Sequence, residues 1–157
     1  MTENPAKPAL PWFFHAARLS FGAGGALPWI LPFARAWLPL GPLGVALDGL
    51  FYFTCHRRPE RTLVFEGVAM PLCSRCAGIA AGLALGAVLA WPSPSLRATR
   101  IALVAAALAM ALDVVTQDLG VHPVWHPTRV ATGLFFGYSF AIGLFAAIRR
   151  EWSARPA

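Results

Sequence analysis

The sequence predicts an all-α integral membrane protein, a four-transmembrane-helix bundle with an N-terminal interfacial or re-entrant segment. Of its 157 residues, 57% are hydrophobic and 13% are charged, whereas soluble domains carry about 25% charged residues. Four apolar stretches have the length of about 20 residues that a helix needs to cross a bilayer. We expect a single membrane-embedded domain over residues 12–150, between a disordered tail at 1–11 and a C-terminal tail at 151–157.

The charge and the cysteine content exclude several other classes of protein. The net charge of +6 comes from arginines scattered among apolar stretches, without the basic, aromatic-interleaved patch of a nucleic-acid-binding surface. Three cysteines do not make the paired disulfide framework of a secreted domain. The first eleven residues lack the apolar core of a cleavable signal peptide. The expected partner is therefore the lipid bilayer, and the expected location is the inner cell membrane.

The N-terminal third of the chain contains one interrupted and one continuous apolar stretch. Glycines and prolines interrupt residues 12–34, so we expect an interfacial or re-entrant segment there, with a fifth span as the alternative. Residues 36–54 form the first predicted span, and Trp37 lies at its start, where interfacial aromatic residues occur. Asp48 lies inside this span, and an intramembrane carboxylate is a functional candidate because its burial is costly.

The second predicted span follows a polar loop at residues 55–70 and covers residues 71–91. It begins with proline, which suits the first turn of a helix because its missing N–H would be unpaired there. Cys73 and Cys76 then lie in the first turns, on one face of the helix. The partial positive charge of a helix N-terminus favours thiolates at such positions.

The third and fourth predicted spans cover residues 96–117 and 127–149, with Ser95 as the expected N-cap of the third. The second and fourth spans both carry glycines at intervals of four residues. Such stripes let two helices approach closely, so we expect these two spans to pack against each other. The glycines are Gly78, Gly82 and Gly86 in the second span, and Gly133 and Gly137 in the fourth.

Four spans place the loop after the first span and the loop after the third on the same side of the membrane. The notable polar side chains fall on that side, which predicts one composite site. Eight lysines and arginines lie on the N-terminal side and five on the site side. The positive-inside rule then puts both termini in the cytoplasm and the site outside. Free thiols favour the opposite orientation, since they persist in a reducing compartment.

Four motifs of this chain occur together in one known family. They are Cys-His-x-x-Pro-Glu-Arg from Cys55, Pro-Leu-Cys-x-Arg-Cys-x-Gly from Pro71, Asp-x-x-Thr-Gln-x-x-Gly from Asp113 and Arg-x-x-Thr-Gly from Arg129. Over about residues 40–145 the chain resembles the bacterial and archaeal membrane-protein family called domain of unknown function 2085. It departs from that family at Val114, where glycine is usual, and at Arg57, where glutamine is usual. The resemblance implies a small integral membrane protein and supplies no activity.

The cysteines predict a metal site, with zinc as the expected ion. Cys55, Cys73 and Cys76 supply soft ligands, and Cys-x-x-Cys at a helix start is a common zinc half-site. Adjacent residues rarely bind one ion together, so a histidine from the third loop is favoured as the fourth ligand over the neighbour of Cys55. An open position that holds water or substrate is the alternative. The candidate histidines are His56, His122 and His126.

An open coordination position would make the site catalytic. The ion would then activate water near neutral pH, with Glu60 or Asp113 as the general base. Arginines clamp phosphate groups by bidentate contacts, which predicts a lipid or another phosphate-bearing substrate. Alternatively, the arginines pair with carboxylates or lie at the membrane interface. The candidate substrate-binding residues are Arg57, Arg61, Arg75, Gln117 and Arg129.

Three other interpretations of the cysteines stay open. Cys73 and Cys76 could be the active pair of a thiol–disulfide redox protein with Cys55 as resolving partner, as in quinone-coupled disulfide-forming membrane proteins, although those usually carry a second full pair. The metal could hold two loops together in a non-enzymatic scaffold or sensor. The cysteines could also simply pack, as buried cysteine often does. A c-type haem is excluded because Ala77 follows Cys76 where histidine is required.

Overall fold

A computed structural model describes residues 10–55, 58–89 and 95–154. The described chain forms five α-helices, one β-hairpin and a short 3₁₀ turn. The helices are α1 (Trp12–Trp37), α2 (Gly41–Tyr52), α3 (Ser74–Leu89), α4 (Leu96–Asp118) and α5 (His126–Ser153). The hairpin consists of β1 (Thr62–Phe65) and β2 (Val68–Cys73), and Pro59–Arg61 form the 3₁₀ turn before it. The fold is therefore helical, as predicted, with a small two-stranded sheet added.

Two of the described helices are long and apolar enough to cross a membrane. They are α4, with 23 residues, and α5, with 28 residues, and they match the third and fourth predicted spans. The apolar helix α3 has 16 residues and is about 24 Å long. Its predicted end at Trp91 lies outside the described residues. Four membrane crossings therefore remain a prediction.

The prediction of a first span over residues 36–54 is wrong. Helix α1 ends at Trp37, and the chain bends before Gly41, which has φ +46°, and Pro42, which lies in the first turn of α2. Helix α2 has 12 residues, about 18 Å, which is too short for a hydrocarbon core of about 30 Å. Asp48 of α2 forms an ion pair with Arg35 of α1 at 2.5 Å.

The re-entrant form of the segment predicted at residues 12–34 is wrong, because these residues belong to the continuous 26-residue helix α1. An interfacial location for this helix stays a prediction. Pro28 and Pro32 lie inside this helix and are buried in the bundle. A methyl group at Gly25 would overlap the backbone carbonyl of Ala80 in α3. The residues that look like helix breakers in the sequence therefore lie on the face of α1 that packs into the bundle.

Helix α1 runs antiparallel to α3 along the length of the bundle. Near its N-terminus, Arg18 donates a hydrogen bond of 2.7 Å to the carbonyl of Ala87, near the C-terminal end of α3. Further along, Trp29 donates through Nε1 to the carbonyl of Ala77 in the first turn of α3, at 3.0 Å. These contacts make α1 a member of the bundle and place its C-terminal end beside the start of α3.

The closest helix pair is α3 with α5, along what we call the glycine seam. It consists of Gly78, Gly82 and Gly86 of α3 and Gly133 and Gly137 of α5. A methyl group on Gly82 would overlap the carbonyl of Leu134, and one on Gly137 would overlap the carbonyl of Ile79. The predicted packing of these two glycine stripes is confirmed, since each backbone lies where the other helix lacks a side chain.

The outer face of α4 is apolar and exposed. Four large side chains follow one another along it at intervals of three or four residues, and each exposes more than half of its surface: Ile101, Val104, Leu108 and Leu112. Soluble monomers rarely expose such a continuous apolar surface. A lipid-facing position accounts for this face.

The bundle has two different ends. At the terminal end, Phe14 of α1 packs edge-on against Phe145 of α5, with ring centroids 5.6 Å apart. Leu10, placed in the predicted N-terminal tail, packs against this cluster, while residues 1–9 lie outside the described residues. Likewise, α5 continues to Ser153 within the predicted C-terminal tail, whose residues 155–157 are not described. The hairpin end carries β1 and β2.

The hairpin occupies part of the predicted polar loop at residues 55–70 and part of the predicted second span, which corrects both. Its two-residue turn uses Glu66 and Gly67, with φ of 52° and 75°, the signs that a type I′ turn requires. Pro71 lies within β2 rather than opening a helix, in a stretch where the strand register is irregular and proline's missing N–H is tolerated. Helix α3 starts three residues later.

Candidate metal centre

The three cysteines meet at the hairpin end of the bundle. Cys55 follows α2, Cys73 is the last residue of β2, and Cys76 lies in the first turn of α3. Their Sγ atoms all lie within 4.8 Å of one another, and all three thiols are free. The Cys73–Cys76 pair and Cys55, which lies 18 residues before Cys73, thus form one group of potential metal ligands.

The hairpin is what brings Cys55 to the other two cysteines. Residues of β2 and α3 form a buried apolar cluster with Cys55, namely Met70, Leu72 and Ala77. The backbone N–H of Cys73 donates to Sγ of Cys55 at 3.3 Å. This contact holds the sulfur of Cys55 against the end of β2.

The surroundings of Cys73 favour its thiolate form. The Cys76 thiol donates a hydrogen bond to Sγ of Cys73 and lowers the pKa of Cys73 to about 4. Partial burial opposes this shift, while the Cys76 backbone N–H, Cys55 and the positive charge of Arg129 add to it. The thiolate is the form that binds metal ions.

The second half of the site comes from α4 and α5. Arg75 of α3 forms an ion pair with Asp113 of α4, and their side chains are 13% and 5% exposed. Arg61 reaches Asp118 at the end of α4, at 3.5 Å. Arg75 and Asp113 are 38 residues apart in the sequence and are in direct contact at the hairpin end.

Arg129, in the first turn of α5, is 2% exposed. Its Nε donates to Oγ of Ser74 at 3.0 Å, and its Nη1 donates to Oε1 of Gln117 at 2.5 Å. It therefore ties α5 to the start of α3 and to the last turns of α4, directly beside Cys73.

A cavity of about 510 Å³ lies between these elements. Its lining includes all three cysteines and Asp118, together with four arginines: Arg58, Arg61, Arg75 and Arg129. Thiols and guanidinium groups therefore share one space, which lies beside the end of α4 and the beginning of α5.

The sequence pattern of DUF2085, a family described as a predicted membrane protein, matches residues 55–143 of the chain. The chain belongs to this family. The matched segment contains the cysteines, the hairpin, α3, α4 and most of α5, so the DUF2085 pattern includes both halves of the site. The resemblance noted in the sequence is thereby confirmed, and the protein is a predicted membrane protein of unknown function.

The chain is similar to two archaeal proteins that are described as uncharacterised. One from Methanothermobacter thermautotrophicus is 35% identical over 94 residues, which are 59% of this chain and 85% of that protein. Another from Methanocaldococcus jannaschii is 28% identical over 101 residues, 62% of this chain and 65% of that protein. No solved structure matches the chain.

Most of the predicted site residues lie in or beside the cavity. Asp113 and Gln117 do not line it but hold two arginines that do, Arg75 and Arg129. Glu60, a predicted general base, is exposed in the 3₁₀ turn and is not part of the lining. His56 and Arg57 lie outside the described residues, and the roles given to all these side chains stay predictions.

The histidines of the third loop stay apart from the cysteines. Among the described residues, the group of close metal-ligating side chains consists of the three cysteines alone. His126 is the first residue of α5, and its buried Nδ1 has no hydrogen-bond partner within the described chain. His122 has both ring nitrogens engaged, with Thr116 at 2.9 Å and with the carbonyl of Pro123 at 2.9 Å.

Ser74 was not among the predicted site residues. It is fully buried, and its hydroxyl accepts the hydrogen bond from Arg129. Its place between two predicted site residues, at the start of α3, is a signal that could have identified it, because a first-turn hydroxyl at a helix–helix contact needs a polar partner.

Proposed function

We propose that the protein binds one zinc ion through the thiolates of Cys55, Cys73 and Cys76 at the hairpin end of a membrane helix bundle. The supporting observation is the separation of their Sγ atoms, at most 4.8 Å. Sulfur ligands 2.3 Å from one tetrahedral zinc ion lie about 3.8 Å apart. A shift of about 1 Å or less per pair therefore converts the observed group into a coordination shell.

The charges around the cysteines fit this ion. Zn²⁺ with three thiolates carries one net negative charge, and Arg129 lies beside Cys73. Three soft sulfur ligands favour zinc or other thiophilic ions over magnesium or calcium, which prefer oxygen ligands.

Three protein ligands leave a fourth position, as catalytic zinc sites do and closed structural sites do not. The cysteines line the cavity, so this open position would face the cavity. The zinc ion would then act as a Lewis acid on a molecule bound there. Asp118 is the carboxylate of the cavity lining, whereas Asp113 is held by Arg75 and Glu60 is exposed. In a hydrolytic reaction we therefore favour Asp118 as the general base.

Membrane orientation is a separate part of the proposal. The ring of Phe33 in α1 packs on Phe65 of the hairpin, with centroids 5.5 Å apart, so Arg35 lies at the hairpin end. The predicted topology has eight lysines and arginines on the side of the termini and five on the site side. With Arg35 counted on the site side, these numbers become seven and six. Cytoplasmic termini with an external site remain the proposed arrangement, with a smaller charge difference to support it.

Elemental analysis of the detergent-purified protein tests the metal site. We expect about one zinc per chain in the wild type and a large loss in Cys73→Ser. Ser153→Ala, which removes an exposed hydroxyl at the end of α5, is the control and should keep the zinc. A wild type with three free thiols and without bound metal contradicts the proposal.

A second candidate is thiol–disulfide exchange at Cys73 and Cys76. The hydrogen bond between these two thiols at the start of α3 supports it. In that reaction both thiols lose a proton and together two electrons, a sulfur–sulfur bond forms, and a membrane quinone is reduced to the quinol. Thiol counting in the same sample separates the candidates, because redox function predicts a Cys73–Cys76 disulfide with one remaining thiol and without zinc.

In the third candidate, a scaffold or sensor, the ion only fastens the end of α2 to the hairpin and α3. A chelator should then lower the melting temperature of the protein. A fourth tightly held protein ligand would close the coordination shell and support this role. An open fourth position would support the catalytic role.

A further inference from the structure

We infer that the cavity beside the cysteines binds a phosphate group, held by the guanidinium groups of Arg58, Arg61 and Arg129. The inference deepens the proposed function, because it rests on that function for the metal ion beside the phosphate. The charges that support it are carried by the arginines and are present with or without the ion.

The burial of Arg129 is the first observation. It lines the cavity and is 2% exposed, yet within the described chain its side-chain partners are the Ser74 hydroxyl, the Gln117 amide oxygen and the Cys73 sulfur. A buried cation is costly unless an anion accompanies it. A thiolate bound to zinc shares its charge with the ion, so Arg129 retains the need for an additional anion.

The charge balance of the cavity is the second observation. Four arginines line it, while two carboxylates face them, Asp118 in the lining and Asp113 on Arg75. Without metal, the Cys73 thiolate adds a third negative charge, so four positive and three negative charges leave one positive charge. With zinc, the ion and its three thiolates together contribute one negative charge, which also leaves one positive charge. The cavity therefore attracts an anion in either metal state.

Unused donors are the third observation. Arg61 contacts Asp118 at the long distance of 3.5 Å, and its buried Nε has no hydrogen-bond partner in the described chain. Arg58 lines the same space and is exposed to solvent. Buried donors without partners are uncommon in folded proteins, and a phosphate oxygen would satisfy this one.

Phosphate is the anion that fits these groups best. A cluster of guanidinium groups recognises phosphate through several charge-assisted hydrogen bonds. The cavity volume of about 510 Å³ is within the range of small-molecule sites. The cavity lies at the end of α4 and the beginning of α5, the level at which lipid head groups would surround the bundle. The phosphate can therefore come from a lipid head group or from a water-soluble compound.

Calorimetric titration of the zinc-analysed protein in detergent distinguishes these sources. The probes are inorganic phosphate and dihexanoyl phosphatidic acid, with dihexanoyl glycerol as the phosphate-free control. We expect dihexanoyl glycerol not to bind. Comparable binding of both phosphate probes identifies the phosphate group itself as the ligand, whereas much tighter binding of phosphatidic acid identifies a lipid.

Two variants connect the binding to the cavity. Arg58→Gln and Arg61→Gln should each weaken the binding of phosphate or phosphatidic acid about tenfold or more, since each removes a charged donor. Arg100→Gln removes an exposed arginine near the start of α4 and should leave the affinity unchanged. Equal weakening in all three variants would show a nonspecific effect of net charge and overturn the inference.

The zinc content of each sample separates this inference from the proposed function. Zinc-loaded protein that binds neither phosphate probe overturns the phosphate site and leaves the metal site standing. Protein without zinc that still binds phosphate, and loses it in Arg61→Gln, overturns the metal site and supports the phosphate site.

Discussion

The glycine seam and the hairpin end of this bundle are built in opposite ways. In the seam, α3 and α5 approach because side chains are missing, and the backbone of Gly82 lies directly against that of the helix opposite. At the hairpin end, long charged side chains from α3, α4, α5 and the 3₁₀ turn line a cavity of about 510 Å³. One region therefore sets how closely α3 and α5 pack, while the other carries the groups that can bind a ligand.

This contrast follows from the solvent of each region. Lipid offers helices no hydrophobic gain on association, so contacts between membrane helices depend on close packing of small residues. The hairpin end lies where α4 ends and α5 begins, and ion pairs such as Arg75 with Asp113 can form there. Variants in the two regions should therefore differ in what they change.

The largest loss of stability is expected from Asp113→Asn. It removes the charge that pairs with Arg75, both side chains being mostly buried, and breaking a buried pair costs about 3–5 kcal/mol. Chemical unfolding in detergent micelles measures the change. The matched control is Asp118→Asn, whose pair with Arg61 is exposed and should be worth less than about 1 kcal/mol. Equal effects in both variants would refute the special role of the buried pair.

A smaller loss is expected from Gly82→Ala in the seam. The added methyl group would overlap the carbonyl of Leu134, and forcing extra volume into a packed contact costs about 1–3 kcal/mol. The control is Gly24→Ala in α1, where a methyl group has open space and should stabilise the helix by about 0.5–1 kcal/mol. A neutral Gly82→Ala would contradict the close approach of α3 and α5. Zinc content should stay unchanged in both variants.

The smallest effect is expected from Ser95→Ala, at the start of α4 and away from the cysteines. The Ser95 hydroxyl accepts a hydrogen bond from the Ala98 N–H at 3.1 Å, and loss of such a helix cap costs about 1 kcal/mol. Thermal unfolding should show this loss, while elemental analysis finds the wild-type zinc content. Loss of zinc in this variant would show that the two ends of α4 are coupled.

The elements that follow Ser95 could be predicted from the sequence, because their signals are local. The Ser95 cap and Pro127 mark the starts of α4 and α5, and the glycine spacing indicated the α3–α5 contact. The boundaries of the elements before α3 were assigned wrongly for the opposite reason. Whether Pro28 breaks a helix or packs within one depends on the bundle around it, and the sequence of α1 alone does not contain that information.

The site, too, was predictable only where its signals are local. The cysteine pair at the start of α3 is a local pattern, whereas the approach of Cys55 depends on the hairpin, which rests on a Glu66–Gly67 turn with two positive φ angles. The sequence Glu-Gly is a weaker signal for this turn than Asn-Gly. The spacing of the histidines likewise does not show that His122 is engaged by Thr116, and a histidine ligand stays a prediction.

X-ray absorption at the zinc edge of the purified protein tests the metal centre most directly. The structure places three sulfur atoms within 4.8 Å of one another, so we expect three sulfur neighbours at about 2.3 Å from zinc and one nitrogen or oxygen neighbour at about 2.0–2.1 Å. Cys55→Ser should reduce the sulfur count from three to two. Protein without zinc, or zinc surrounded only by nitrogen and oxygen, would contradict the three-thiolate site.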